Sequence, residues 1–132
     1  MFDIISLILS VSVAIFDFAS HVGMKSEEKK KQVADFLQAI SDTLMTVADK
    51  LSVDEVPHGA CLNIRDYALE LPRILDGLME ADKAQELSDM LLQAHNVEML
   101  IIETREDKSS TERIRFASWR FNAAALIIRM KQ

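Results

Sequence analysis

Apolar residues fill almost every position from Ile4 to Phe16, a run that contains no charged side chain. On a helix, the few small or polar positions of this region recur every three or four residues and therefore share one narrow strip. Large apolar side chains cover the rest of the circumference, so such a helix must be buried in protein or in lipid. We predict a helix over residues 1–24, and its polar strip consists of Asp3, Ser6, Ser10, Ala14, Asp17 and His21.

Four amphipathic helices are predicted after this segment, because apolar residues recur at intervals of three and four. Ser26 suits the N-cap of the first of them, since its hydroxyl can accept a hydrogen bond from a free backbone N–H. Three glycines and two prolines leave few breaks, and no segment shows the alternation of a strand. We expect an all-α fold, one helical-bundle domain of about five helices over residues 1–132. The four amphipathic helices span residues 26–51, 61–79, 82–103 and 111–130.

The N-terminal helix fits neither a secretory signal nor a constitutive membrane span. Secretory signals begin with basic residues, whereas Asp3 is the only charge ahead of the apolar run. The run is about two-thirds of the roughly 20 residues that a span needs. A longer span would bring Asp17 and His21 into the bilayer, where a central aspartate costs about 2.5–3.5 kcal/mol. We therefore expect a helix buried in the bundle, with conditional entry into a membrane as the alternative.

Charge is unevenly distributed along the chain, whose net charge is −6. Residues 53–110 carry five basic and thirteen acidic side chains, a balance of −8, and residues 111–132 carry five basic and one acidic, a balance of +4. The net acidity argues against a nucleic-acid partner. We expect the basic last helix to pair with the acidic middle inside the molecule. The alternative is contact with anionic lipid headgroups, for which the candidates are Lys29, Lys30, Lys31, Arg113 and Arg120.

No motif for catalysis or for a metal occurs in the sequence. The single cysteine, Cys61, excludes an internal disulfide and favours a reducing cytoplasm. His58 precedes it by three residues, yet a nucleophilic cysteine also needs an orienting group and an oxyanion site, and His95 lacks the Glu-x-x-His spacing of di-iron bundles. Trp119 is expected to be a core aromatic, with membrane or partner contact as the alternative. We expect no enzymatic activity, no metal and no cofactor.

An apolar N-terminal helix with small polar residues, a lysine-rich junction and an amphipathic bundle resemble the HeLo and HELL family, which includes the bacterial Bell domains. Residues 2–16 and residues 36–51 of the second helix carry the resemblance. The family implies a cell-death or immunity effector that oligomerises, releases its first helix from the bundle and permeabilises a membrane. It also implies a cytoplasmic protein that moves to the inner face of the membrane when a receptor or signalling protein activates it.

In the inserted state that the resemblance implies, the polar strip faces a water-filled centre, lined by Asp17 and His21, while apolar positions face lipid. A charge at Ile8 or Val11 is then expected to abolish permeabilisation. The competing interpretation is a soluble helical adaptor, in which the first helix is structural core and a charged face binds a partner. The membrane-insertion candidates are Ile5, Ile8, Leu9, Val11 and Phe16.

Overall fold

The computed structural model describes residues 3–131, and within that range the chain forms six α-helices and no strand. The predicted all-α fold with an apolar N-terminal helix is confirmed, with six helices rather than about five. A short 3-10 turn, Gln93–His95, lies between the fourth and fifth helices. The helices are α1 (Ile4–His21), α2 (Glu27–Ser52), α3 (His58–Ile74), α4 (Ala81–Leu92), α5 (Val97–Glu106) and α6 (Ser110–Met130).

Helices α2 and α6 form the most extensive contact of the bundle. They run antiparallel, because Asp49 pairs with Arg115 while Ser41, about two turns earlier in α2, meets Ser118 later in α6. The Ser41 hydroxyl donates to the Ser118 carbonyl at 2.8 Å, and the Ser118 hydroxyl donates to the Ser41 carbonyl at 2.7 Å. These small side chains are buried and satisfied, so they allow the two backbones to approach closely.

Helix α1 packs on the other side of α6 and runs parallel to it. Arg113 reaches Ser6 and Arg120 reaches Ser12, so positions along both helices increase together. Helix α3 packs on α2 and α4, and α4 returns to α1. The helices therefore form a closed ring, and the largest fully buried side chains that fill it include Phe121, Ile5, Ile8, Leu37, Leu44, Ile64 and Leu87.

The predicted helix over residues 82–103 is wrong in one respect, because it is two helices. The apolar positions continue through the break, but Asn96 takes an extended conformation, with φ −77° and ψ 91°. Its side chain accepts a hydrogen bond from the backbone N–H of Met99 at 3.1 Å and so caps α5. Asparagine is favoured at an N-cap and unfavourable inside a helix. The chain therefore turns at this residue.

The predicted helix over residues 61–79 begins and ends earlier, as α3. Its first residue follows Pro57, which has no N–H to lose at a helix start. The helix ends before Gly77, whose φ of +79° is the left-handed conformation that glycine adopts at little cost.

The predicted N-terminal helix also ends early, at His21, because Val22 is extended. Ser26 caps α2 as predicted, accepting from the Lys29 N–H at 3.2 Å.

The basic last helix pairs with acidic residues that the charge distribution did not indicate. Arg115 lies 3.1 Å from Asp49 and Arg129 lies 3.2 Å from Asp35, both on α2. The expected pairing with residues 53–110 is therefore wrong for these two arginines, and it is met by Arg113, which lies 3.9 Å from Asp107. Helix α6 packs mainly between α1 and α2, so the carboxylates of α2 are the ones within its reach.

Candidate functional surface of helix α1

The apolar side of α1 is core. Ile5, Ile8 and Val11, three of the five membrane-insertion candidates, are at most 1% exposed. Leu9 is half-buried against the core, whereas Phe16 is 40% exposed. In this state the buried three contribute about 1.5–3 kcal/mol each to the stability of the bundle, and Phe16 is the candidate that already meets solvent.

The polar strip of α1 faces away from the bundle. Asp3, Ser10, Asp17 and His21 are exposed, and Ser6 and Ala14 are half-buried. Asp17 and His21 lie close together, since the imidazole Nδ1 is 3.4 Å from the Asp17 carboxylate. The helix is therefore not covered all round. Only 39% of the residues of α1 are buried. The helix contacts chiefly α6, with fewer contacts to α4, α5 and the 3-10 turn.

The start of α1 is held by two carboxylates. Asp3 accepts a hydrogen bond from the Ser6 N–H at 2.6 Å. Hydrogen bonding by the side chain and the backbone of Ser6, with the Arg113 charge, holds the Asp3 pKa below its usual value despite some desolvation. Glu103, far away in the sequence on α5, accepts from the N–H groups of Ile4 and Ile5 at 3.1 and 3.2 Å. Negative charge at a helix N-terminus is stabilising, so Glu103 fastens α1 to the bundle.

Two arginines of α6 contact α1, one at its first turn and one at its middle. Arg113 donates to the Ser6 hydroxyl at 2.9 Å, and its guanidinium lies 3.9 Å from the Asp3 carboxylate. Arg120 reaches the hydroxyl of the buried Ser12 at 3.4 Å. Both arginines are headgroup candidates, and in this state both are engaged with α1.

The three headgroup lysines have different surroundings. Lys30 is 3% exposed, and its ammonium donates to the Glu27 carboxylate at 2.7 Å and to the Lys131 carbonyl at 2.6 Å. It therefore cannot touch a lipid in this state, contrary to the prediction. Lys31 is exposed and pairs with Asp35 at 2.7 Å, and the half-buried Lys29 donates to Gln32 at 3.3 Å. Only the latter two lie at the surface.

Trp119 is at the surface, so its expected place in the core is wrong. Its side chain is 51% exposed and makes an edge contact with Phe116, at 5.4 Å between ring centroids. Arg120 lies over the Phe116 ring at 5.7 Å, a distance at which a cation and an aromatic face attract. Helix α6 thus presents aromatic surface to solvent next to α1.

The residues considered for chemistry lie apart from one another. Cys61 is buried, and burial raises the pKa of its thiol to about 11, so the thiol is protonated at neutral pH. His58 and His95 are exposed. Within residues 3–131 no three His, Cys, Asp or Glu side chains are grouped in a way that could hold a metal ion.

Glu103 and Ser12 were not predicted from the sequence. Glu103 ends an apolar stretch and has no motif, and its role depends on α5 folding back to the start of α1. Ser12 lies outside the predicted polar strip, on the buried side, where its hydroxyl donates to the Leu9 carbonyl at 2.7 Å. A third serine in the apolar run, off the strip that holds Ser6 and Ser10, was the one available signal.

Glu103→Ala is expected to lower the free energy of unfolding by about 0.5–2 kcal/mol, the usual effect of losing a helix cap. Two N–H groups of α1 lose their acceptor, so the N-terminal turn should fray. Urea unfolding followed by circular dichroism measures the change. Glu106→Ala, an exposed glutamate on the same helix, is the matched control and should stay within about 0.5 kcal/mol of the wild type. Equal stability of both variants would contradict the role of Glu103.

Comparison of the chain with protein-family models, with curated proteins and with solved structures finds no match. The resemblance to the HeLo and HELL family therefore stays a prediction from sequence. Among the described residues, one helix, α1, is long and apolar enough to cross a membrane by length and composition. Core helices of soluble proteins meet the same criterion, so the surroundings of α1 carry the functional argument.

Proposed function

We propose that this chain is a membrane-permeabilising effector domain that stores α1 against α6 and inserts it into a membrane after self-association. The observation that carries the proposal is the partial cover of α1: a helix of spanning length, 39% buried, that shows its polar strip to solvent. Release of α1 requires loss of contacts that lie mainly with one neighbouring helix.

Transfer of α1 from the bundle to a membrane loses little free energy at its apolar positions. Ile5, Ile8 and Val11 leave an apolar core for apolar lipid, so little hydrophobic stabilisation is lost in the membrane. Asp17 and His21 are too costly for lipid but can line water between several copies of the helix. Self-association is thus part of the proposal, because one copy alone cannot enclose water.

Release of α1 also frees the two arginines that hold it. Arg113 and Arg120 would then leave Ser6 and Ser12 and bind anionic headgroups. An anionic membrane surface attracts each arginine by roughly 1 kcal/mol. This chemistry fits the cytoplasmic leaflet, which is the anionic one. The proposed location is therefore the cytoplasm, with movement to the inner face of the membrane on a signal from an upstream receptor or signalling protein.

Dye release from liposomes tests the proposal. The folded full chain should release dye from anionic liposomes and much less from zwitterionic ones, and Glu103→Ala should release it faster because α1 is held less firmly. Absence of leakage with both the wild type and Glu103→Ala, each shown to be folded by circular dichroism, would contradict the proposal.

A soluble interaction module is the second candidate, favoured by the aromatic surface of α6 at Phe116 and Trp119. Here α1 is only structural core and the exposed face of α6 binds another protein. The two candidates differ in one simple observation. An interaction module stays in solution when anionic liposomes are sedimented, whereas the permeabilising domain sediments with them.

A further inference from the structure

The outward side of α6 is a regular apolar stripe. Its positions are spaced by three, four, three and four residues, the interval that keeps side chains on one helix face. Four of the five are large and at least 50% exposed, and the middle one is alanine, which allows a second helix to approach closely. We call this surface the α6 stripe, and it consists of Phe116, Trp119, Ala123, Leu126 and Met130.

The flank of the α6 stripe on the α2 side is acidic. Asp35, Asp42 and Asp49 are exposed and seven residues apart, so they share a face of α2. Asp35 and Asp49 pair with arginines of α6. Within residues 3–131, Asp42 has no ion-pair partner, and its carboxylate accepts a hydrogen bond from Gln38 at 3.0 Å. One anion on this flank is therefore free to bind a cation.

The opposite flank, beside α1, is basic. Arg113 and Arg120 are seven residues apart on α6. Arg113 lies 3.9 Å from both Asp3 and Asp107. Arg120 touches the Ser12 hydroxyl and the Phe116 ring, and no carboxylate in the described part of the chain forms an ion pair with it. One cation is thus left without an anion on this side.

The free cation and the free anion lie at nearly the same height. The pairs Asp49–Arg115 and Asp35–Arg129 fix how antiparallel α2 and α6 lie beside each other. Asp42 is midway between the two aspartates, so these pairs place it level with residue 122, the midpoint of the two arginines. The contact of Ser41 with Ser118 places Asp42 level with about residue 117. Arg120 lies between these two levels, within about 5 Å of either at the rise of an α-helix.

We propose that the α6 stripe pairs with the α6 stripe of a second copy, with the two α6 helices parallel about a two-fold axis. The two-fold axis runs parallel to the α6 helices and between them. Rotation by 180° about this axis places the α1 flank of one copy opposite the α2 flank of the other. Arg120 of each copy then faces Asp42 of the other, which gives two equivalent ion pairs around an apolar centre.

The charges select this arrangement over the alternatives. With the two α6 helices antiparallel, the axis would place the unpaired Asp42 of one copy opposite Asp42 of the other, and like charges repel. An anionic membrane laid on the α6 stripe would also meet the unpaired Asp42. A surface with an unpaired cation on one flank and an unpaired anion on the other is complementary to itself.

The single tryptophan of the chain, Trp119, lies in the α6 stripe and reports on it directly. With rising protein concentration, sedimentation should show a dimer and the Trp119 emission should shift to the blue. Arg120→Asp and Asp42→Arg should each weaken the dimer at least tenfold, and the two together should restore it. Asp42 is on the surface of α2, so its variant remains informative even if Arg120→Asp disturbs folding.

Disulfide trapping tests the direction of pairing. In a Cys61→Ala background, Leu126→Cys should cross-link two copies under mild oxidation, because parallel helices place equal positions together. Antiparallel helices would place position 126 opposite about position 120, and no cross-link would form.

Three outcomes would overturn the proposal: a monomer at all concentrations, a dimer that neither charge reversal weakens, or a Trp119 shift seen with anionic liposomes alone. The inference does not depend on α1 entering a membrane. A dimer rescued by the double reversal, together with no dye release, would leave this proposal standing and contradict the proposed function alone.

Discussion

Ile8→Asp is expected to destabilise the bundle by more than about 4 kcal/mol, a large share of its total stability. Ile8 is 1% exposed and among the largest fully buried side chains. Truncating such a residue to alanine alone costs about 2–5 kcal/mol, and an unpaired buried carboxylate adds a desolvation penalty. Domains of this size are stable by about 5–15 kcal/mol. Thermal and urea unfolding by circular dichroism measure the loss.

Val13→Asp is the matched control for that variant. Val13 lies on the same helix, within the same charge-free run, and is 52% exposed. Adding the same charge there should change the free energy of unfolding by no more than about 0.5 kcal/mol. If both variants unfolded alike, the side of α1 that packs on the bundle would be misassigned.

The difference between buried and exposed positions of α1 decides which variants can test membrane entry. Sequence alone indicated that a charge at Ile8 or Val11 should abolish permeabilisation. Because both side chains are fully buried, their variants would lose activity by unfolding, whatever α1 does in a membrane. A useful variant must disturb only the inserted state.

Phe16→Asp should lower the rate of dye release from anionic liposomes by roughly 10²-fold while the bundle stays folded. Phe16 is 40% exposed in the structure, and in the proposed inserted state it faces lipid. An aspartate near the bilayer centre costs about 2.5–3.5 kcal/mol, and each 1.4 kcal/mol corresponds to a factor of ten. Leakage kinetics at matched, circular-dichroism-verified folded concentration give the ratio.

Ser10→Asp serves as the paired variant for Phe16→Asp. Ser10 is exposed and belongs to the polar strip, which faces water in the proposed assembly. The same charge on the same helix should therefore leave dye release within a few-fold of the wild type. Equal loss in the two variants would show that charge anywhere on α1 is harmful, and the division into lipid and water faces would fail.

Local patterns were sufficient to predict most helices, because apolar periodicity and caps depend on neighbouring residues. The Ser26 cap and the apolar stripe of α2 are examples. The break at Asn96 was missed because the apolar positions continue across it in phase, and the competing N-cap preference of one asparagine decided the structure. Helix bounds are least predictable where two local signals conflict.

Features that depend on packing could not be read from the sequence. Glu103 caps a helix that starts about 100 residues earlier, and Lys30 is buried because the Lys131 carbonyl lies within reach of its ammonium. Trp119 was expected in the core because α6 is apolar around most of its circumference. The bundle flanks α6 with α1 and α2 and leaves its outer side open, so the aromatic residues there are exposed.

The most direct test of the account is to follow one position of α1 while leakage occurs. A fluorophore on Phe16→Cys, in a Cys61→Ala background, would be read against liposomes that carry nitroxide-labelled lipid tails. The account predicts no quenching in solution, and quenching that develops with the same kinetics as dye release from anionic liposomes. Dye release without quenching at this position would contradict it, because the membrane would then be breached while α1 remained outside the lipid.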